Sequence, residues 1–279
     1  MTPRPFKQVD VFTATGYRGN PLAVVLDGTG LSTEAMQHFT DWTHLSEAAF
    51  LLPPTDPRAD YRVRIFCPGR ELPFAGHPTL GSCHAWLEAG GKPRGDGVVQ
   101  ECGIGLVALR RDGRRLAFAA PPPRRAGPLS EADLARVLPG LGLARSDVLD
   151  HAWCDNGPPW HGLLLHSAEA VAALRPKAAL LDGLYVGVIG AHPPGAGCDF
   201  EVRAFFPGHN GTIEDPVTGS LNAALAQWLI AAGVAPAQYI AAQGTALARA
   251  GRVHLARAPE GTVWVGGDSV TCIDGTVRL

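Results

Sequence analysis

The residues best suited to chemistry in this chain are a histidine and an aspartate that occupy similar settings in two repeated segments. His77 and Asp215 each precede a proline and, a few residues later, a Gly-Ser pair. Each follows a similar stretch, residues 60–69 in the first case and residues 199–208 in the second. A recurrence of this kind predicts two similar halves. We expect these halves to face each other, with a site between them that receives both side chains.

A helix that begins beside each of these residues would create a site for an anion. Pro78 and Pro216 fit the first position of a helix, because proline lacks the N–H group that a helix leaves unpaired there. A helix N-terminus carries unpaired amides and a partial positive charge. Gly76 and Gly219 have no side chain to keep a ligand from those amides. The pattern favours a small acidic metabolite as substrate, and two ordinary helix starts are the alternative.

Glu47 is a third candidate, because it is a single acid at the entrance to the apolar residues 48–52. Desolvation at such a position would raise the pKa of the carboxyl group and make it a competent carrier of protons. From spacing alone, a solvated carboxylate at the end of a strand is the better explanation.

Other motifs carry less weight. Residues 103–108 imitate a dinucleotide-binding fingerprint, but an arginine-bearing strand follows where a helix should begin. Cys102 lies in a stretch that resembles a thiol-racemase motif, yet it is outside the repeated helix start. Cys83 and His84 share a helix with His77, but no second cluster supplies a further metal ligand, so we predict no metal. Residues 209–211 are interpreted as a polar loop.

Bulk composition excludes several classes of function. Among 279 residues, 46% are hydrophobic and 18% are charged, which is typical of an ordered globular protein. A net charge of −2 gives no reason to expect nucleic acid or an anionic membrane as partner. The amino terminus lacks the apolar run of a signal peptide, and the six cysteines are scattered without a C-x-x-C pair. We expect a cytoplasmic protein with reduced, buried thiols.

Periodicity and the repeat predict an α+β protein of two similar halves, each wrapped on a central helix. Residues 61–66 and 200–205 alternate between apolar and charged side chains, as strands with one buried face do. We expect domains at residues 1–120 and 129–267, with the proline-rich residues 121–128 as linker. The last strand, within residues 268–279, is expected to pack back on the first domain.

The chain resembles the PhzF-like, phenazine-biosynthesis family of isomerases, which have the diaminopimelate-epimerase fold. The matching segments cover most of the chain in register: residues 9–12, 19–24, 45–47, 71–81, 214–220 and 243–244. The long histidine-bearing segment, residues 71–81 (ELPFAGHPTLG), is too specific for chance agreement.

This resemblance implies two pseudo-symmetric domains, each a curved, mostly antiparallel sheet or barrel around a central helix. It also implies a site in the cleft between the two domains, no metal or organic cofactor, and a homodimer. It also implies a role for each candidate. Glu47 would move the proton, and His77 and Asp215 would hold and polarise the substrate. The pocket would be lined by residues that match family positions, namely Asn20, Gly76 and Ser220, and Gly219 belongs to the same segment.

The repeat also discriminates between mechanisms. Epimerases and racemases of this fold carry two cysteines at matching positions, and this chain has no thiol in either place. We therefore expect a cofactor-independent isomerase that shifts a proton on a small unsaturated or amino-type carboxylic acid, with Glu47 as general acid and base. The alternatives are an epimerase or racemase of a small acid and a binding protein that holds a small anion without turnover.

Overall fold

The structure of the chain, a computed structural model, describes residues 1–208 and 211–279. The polar loop predicted at His209 and Asn210 lies outside these residues. Contacts between Cα atoms divide the chain into two compact units, Met1–Ala119 with Gly266–Leu279 and Ala120–Val265. None of the described helices has the length and apolar character that crossing a lipid bilayer requires.

The first unit contains two long helices within a set of strands. Its elements are β1 (Pro3–Val11), β2 (Asn20–Val25), α1 (Thr33–Thr43), β3 (Ala48–Leu52), β4 (Tyr61–Cys67), β5 (Arg70–Leu72), α2 (Gly76–Glu88), β6 (Val98–Cys102), β7 (Gly105–Asp112), β8 (Arg115–Ala119) and, at the C-terminus of the chain, β17 (Ser269–Arg278). The last of these pairs with β1 in antiparallel register.

The second unit repeats much of this order. Its elements are α3 (Glu131–Leu141), β9 (Val148–Asp155), β10 (Pro159–Leu165), α4 (Ala168–Ala173), β11 (Tyr185–Ala191), β12 (Phe200–Gly208), β13 (Gly211–Asp215), α5 (Gly219–Ala231), β14 (Gln238–Gln243), β15 (Gly251–Arg257) and β16 (Val263–Gly267), at whose end the chain returns to the first unit. Residues 121–128 run beside β9, since the backbone of Arg125 pairs with that of Asp155.

Strand pairing confirms the duplication. In the first unit β2 is parallel to β3 and β4 is parallel to β6, whereas β1–β2, β3–β4, β4–β5 and β6–β7 are antiparallel. In the second unit β10 is parallel to β11 and β12 is parallel to β14, whereas β9–β10, β11–β12, β12–β13 and β14–β15 are antiparallel. The two units therefore share one topology, and the fold class is α+β as predicted.

Each unit encloses one apolar helix. In the first unit, α2 packs against β1, β2, β3, β6, β8 and β17. Gly81 permits the close approach, because a Cβ atom there would lie 2.7 Å from Leu22 Cδ2 and 2.9 Å from Val11 Cγ2. In the second unit, α5 packs against β9 and β15 and is buried along most of its length. An apolar helix of this kind is stable only when strands cover it on several sides.

The sequence predicted that His77 and Asp215 occupy equivalent positions in the two repeats, and this prediction is wrong because the two residues lie at different positions relative to the enclosed helices. Both enclosed helices have 13 residues, and they begin at Gly76 and Gly219. The hairpin before the second helix is longer, since β12 and β13 have 9 and 5 residues where β4 and β5 have 7 and 3. His77 therefore lies in the first turn of α2, whereas Asp215 is the last residue of β13. Pro78 is the third residue of α2 and Pro216 precedes α5, so neither proline occupies the first helical position that the sequence predicted.

The prediction that β12 has one buried face is also wrong, because α4 covers the side that carries the charges. Glu201 and Arg203 are both buried. Arg203 Nε and Nη2 donate to Glu214 Oε1 and Oε2 at 2.9 and 2.7 Å. Its Nη1 donates to two backbone carbonyl oxygens at the end of α4. This buried guanidinium thus ties β12 to both β13 and α4.

Because the repeat contains a second copy of this ion pair, two matched variants can test how much burial changes the contribution of the pair to stability. Arg64 and Glu71 form the corresponding bidentate pair in the first unit, with side chains 26% and 38% exposed, against 5% and 13% for Arg203 and Glu214. We expect Arg203→Met to lower the free energy of unfolding by about 3 kcal/mol, because a buried carboxylate loses its partner. Arg64→Met should cost less than about 1 kcal/mol. Urea unfolding of both variants checks this, and equal losses would contradict it.

The cysteines agree with their predicted role only in part. All six are free thiols. Burial raises the pKa of Cys83 and of Cys154 to about 12, so both are inert small apolar groups. The other four are partly exposed, which corrects the expectation that every thiol is buried: Cys67, Cys102, Cys198 and Cys272.

Candidate functional site

The first unit brings Glu47 and His77 into contact. Glu47 directly precedes β3, and its side chain is 15% exposed. His77 is the second residue of α2, and its side chain is 5% exposed. Glu47 Oε2 lies 3.3 Å from His77 Nε2. The two atoms are in contact without the geometry of a hydrogen bond. Catalytic hydrogen bonds are often poorly formed before substrate binds and tighten in the complex.

Asn20 orients the imidazole from its other side. Its amide Nδ2 lies 3.3 Å from His77 Nδ1, and the asparagine is completely buried. The turn before it is fixed by Asp10 Oδ2, which accepts hydrogen bonds from the backbone N–H groups of Arg18 and Gly19 at 2.7 and 2.9 Å. Glycine is required at 19, because a Cβ atom there would lie 2.1 Å from a carbonyl oxygen of β1. Strand β2 begins at Asn20, directly after this glycine.

Burial keeps this imidazole uncharged. It lowers the pKa of His77 from 6.5 to about 3, because the charged form would lose its hydration. At neutral pH the contact with Glu47 therefore joins a carboxyl group and a neutral ring. When Asn20 donates to Nδ1, the ring proton must reside on Nε2, which faces Glu47. The site thus presents a carboxyl group beside a neutral N–H donor.

The lowered pKa makes a prediction about stability. In the unfolded chain His77 takes up a proton near pH 6.5, whereas in the folded protein it stays neutral until about pH 3. Above pH 6.5 His77 is neutral in both states, so its titration costs the folded protein no stability. As the pH falls below 6.5, only the unfolded chain binds the proton, and the free energy of unfolding decreases. Between pH 7 and pH 5 the free energy of unfolding of the native protein should fall by about 2 kcal/mol more than that of the His77→Gln variant. Urea unfolding at both pH values measures this, and parallel losses would contradict it.

The second unit places Asp215, Gly219 and Ser220 near the start of α5. Asp215 is buried, and its Oδ2 accepts a hydrogen bond of 2.6 Å from Thr218 Oγ1. Ser220 Oγ accepts a hydrogen bond of 3.1 Å from the indole of Trp160. Thr218, which makes this contact with Asp215, is not among the candidates named from the sequence. Its position directly before the glycine-led helix is the clue that could have identified it.

The starts of α2 and α5 differ from those of the other helices. Ser32, Ser130 and Ser167 cap α1, α3 and α4 by accepting a hydrogen bond from a backbone N–H group. In the described residues, neither α2 nor α5 has a side-chain cap or an acidic residue in its first turn. Each start therefore suits the carboxylate of a ligand. Neither presents a thiol, because the residues there are Gly76-His77 and Gly219-Ser220.

Within each unit the structure groups the predicted residues. In the first unit His77 contacts Glu47 on one side and Asn20 on the other. Gly76, the first residue of α2, directly precedes His77. In the second unit, Asp215 and the two residues that open α5 lie within one short segment. The described residues contain no group of three or more histidine, cysteine or acidic side chains that could hold a metal ion.

Comparison with known proteins identifies the family. The family model described as "phenazine biosynthesis-like protein" (PhzC-PhzF) matches residues 9–275. The chain is 38% identical over 298 residues to antisense-enhancing sequence 1 of Schizosaccharomyces pombe, with 99% of each chain covered. It is 36% identical over 226 residues to trans-2,3-dihydro-3-hydroxyanthranilate isomerase of Pseudomonas aeruginosa, covering 78% of this chain and 77% of that one.

A solved structure agrees. A predicted epimerase from Pseudomonas aeruginosa is 28% identical to this chain and superposes on it with a TM-score of 0.79, with 99% of each chain covered. That likeness supports the epimerase-like fold expected from the sequence. The chain therefore belongs to the phenazine biosynthesis-like (PhzC-PhzF) family and is an isomerase of that family.

Proposed function

We propose that this isomerase works without a cofactor and shifts a proton on a small unsaturated or amino-type carboxylic acid, with Glu47 as general acid and base. The observation that carries the proposal is the 3.3 Å contact between the Glu47 carboxyl group and a neutral, buried His77. A carboxyl group held beside a neutral donor can take a proton from carbon and give it back. The imidazole does not compete for that proton, because its pKa lies near 3.

The proposed step is a shift of one hydrogen along a conjugated acid. Glu47 removes a proton from a carbon whose C–H bond is activated by conjugation, and the electron pair of that bond enters the π system. The resulting dienolate-like anion is stabilised by hydrogen-bond donors, with His77 Nε2–H and the free amides at a helix start as the proposed groups. The protonated Glu47 then returns a proton at another carbon, and the double bond moves.

Residues of the second unit are proposed to bind the same acid. Asp215, Gly219 and Ser220 surround the start of α5, whose backbone amides have no side-chain cap. A substrate carboxylate would satisfy those amides and gain from the partial positive charge of the helix end. That residues of both units bind one acid remains a prediction, and so does the homodimer. An Asp215→Asn variant should therefore weaken binding as well as turnover.

Incubation of the native protein with a panel of unsaturated and amino acids in heavy water tests the proposal. The name of the Pseudomonas aeruginosa relative supplies the first acid to include, trans-2,3-dihydro-3-hydroxyanthranilate. We expect one acid to change its ultraviolet absorption as its double bond moves and to gain carbon-bound deuterium. Deuterium uptake with inversion at one carbon and no movement of a double bond would instead identify an epimerase. Binding without any exchange would identify an anion-binding protein.

A further inference from the structure

A buried glutamine organises the segment that carries Asp215. Gln243, the last residue of β14, is completely buried. Its Nε2 donates to the backbone carbonyl of Asp215 at 3.1 Å and to Thr218 Oγ1 at 2.9 Å. Its Oε1 accepts from the backbone N–H of Thr218 at 3.0 Å and from Asn222 Nδ2 at 2.8 Å. A backbone carbonyl can only accept and a backbone N–H can only donate, so the orientation of the Gln243 amide is fixed.

The fixed amide sets the direction of the next hydrogen bond. Since Thr218 Oγ1 accepts a hydrogen from Gln243, its own hydrogen points to Asp215 Oδ2, 2.6 Å away. That distance is typical of a hydroxyl group that donates to an ionised carboxylate. The chain of bonds therefore runs in one direction, from Gln243 through Thr218 to Asp215. A hydrogen bond donated to a carboxylate favours its ionised form, and this one fixes the orientation of the Asp215 carboxylate.

The Thr218 hydroxyl bonds Asp215 and does not cap the helix that follows it. It occupies the cap position of α5, where a threonine hydroxyl ordinarily accepts a hydrogen bond from a backbone N–H group of the first turn. Here the hydroxyl makes no such bond, although Ser32, Ser130 and Ser167 do at the helices that they cap. The hydroxyl is therefore used for Asp215 and not for the helix.

We propose that Thr218 and Gln243 are positioning residues that keep Asp215 ionised and oriented for the proton shift. The proposal deepens the proposed function and rests on it, because it takes Asp215 as a residue that binds and polarises the substrate. Under this proposal, Gln243 of β14, which is 28 positions from Asp215 along the chain, helps to set both the location and the ionisation of Asp215.

The test compares three variants by two measurements. Thr218→Val removes the hydroxyl at constant shape, Thr218→Ser restores it, and Thr40→Val removes a different buried hydroxyl, on α1, that bonds the backbone of Met36. The first measurement is the titration of the Asp215 carboxyl carbon by ¹³C NMR, with the signal assigned by Asp215→Asn. The second is the pH profile of carbon-hydrogen exchange on the acid that the panel identifies.

We expect Thr218→Val to move the Asp215 titration midpoint upward by about one pH unit, because a hydrogen bond to a charged group is lost. The acidic limb of the exchange profile should move in the same direction. In Thr218→Ser the midpoint and the acidic limb should have their native values again, and in Thr40→Val they should not change. If Thr218→Val does not fold, Gln243→Met removes the orienting donor while the hydroxyl remains, and a smaller upward shift is expected.

An unchanged midpoint in a folded Thr218→Val would overturn the proposal. A shifted midpoint with an unmoved exchange profile would overturn the positioning role. The titration needs no substrate, so it separates this failure from that of the proposed function. Absence of exchange by the native protein with every acid would overturn the proposed function, and the positioning role with it, whatever the titration shows.

Discussion

Replacement of Glu47 by glutamine should lower the rate of carbon-hydrogen exchange by about 10³-fold, because the amide cannot accept a proton from carbon. Glutamine keeps the length of the side chain, which is 15% exposed and 3.3 Å from His77. Binding of the acid should therefore change little. The loss should appear in kcat and in kcat/KM together, as expected when an interaction acts on the transition state alone.

Two control variants sharpen this measurement. Glu47→Asp keeps the carboxyl group but withdraws it from His77 by one methylene, so its rate should lie between those of the native protein and Glu47→Gln. Glu34→Gln makes the same chemical change at an exposed position in the first turn of α1 and should leave the rate unchanged. Native-like exchange by Glu47→Gln would remove Glu47 from the mechanism.

Replacement of Asn20 by aspartate should lower the exchange rate by about 10²-fold. In the native protein the Asn20 amide nitrogen lies 3.3 Å from His77 Nδ1, and as a donor to that atom it would place the ring proton on Nε2, 3.3 Å from Glu47 Oε2. A carboxylate at position 20 would attract that proton to Nδ1 and would also favour the charged ring, which raises the pKa of His77. The Glu47 carboxyl group would then face either a lone pair or an imidazolium ion, neither of which is the neutral donor that the mechanism uses.

A double-mutant cycle isolates this effect. In a His77→Gln background, Asn20→Asp should add little to the loss, because the ring through which it acts is absent. ¹⁵N NMR of the His77 ring reports the tautomer directly and should show a proton on Nε2 in the native protein. Additive losses in the cycle, or a native ring protonated on Nδ1, would contradict the proposed role of Asn20.

Local pattern was sufficient to predict several elements. Residues 48–52 form a strand with the predicted bounds, and the alternation in β4 buries Tyr61, Val63 and Ile65 as expected. These features depend on side chains a few residues apart, where periodicity is a direct consequence of strand geometry. The duplication was also visible, because two copies of one topology retain similar side chains at similar positions.

Features that depend on distant parts of the chain could not be predicted. The start of α5 is displaced relative to Asp215 because the β12–β13 hairpin is longer, and its length is set by pairing between Gly208 and Gly211, not by the Asp-Pro motif. Arg203 is buried because α4 covers β12, which alternation alone does not reveal. The link from Gln243 to Asp215 joins residues that only the folded backbone brings together.

The candidate site shows the same division. Residue type and spacing selected His77, and the family resemblance selected Asn20 and the role of Glu47, but the neutral state of the imidazole follows from its burial in the folded protein. The family resemblance implies that His77 polarises the substrate, and a neutral ring would do so as a hydrogen-bond donor and not as a cation. Thr218 was not selected because the helix was predicted to begin at Pro216, which would place Thr218 inside the first turn and not at the cap position that it occupies.

Transfer of a labelled hydrogen tests the central claim most directly. An acid identified by the panel would carry deuterium on the carbon that loses its hydrogen, and NMR would follow that deuterium during turnover in ordinary water. With the native protein, deuterium should leave that carbon as the double bond moves, and part of the product should carry it at the new position. With Glu47→Gln it should stay in place. Conversion by the native protein with the deuterium unmoved, or equally fast movement in Glu47→Gln, would contradict the account.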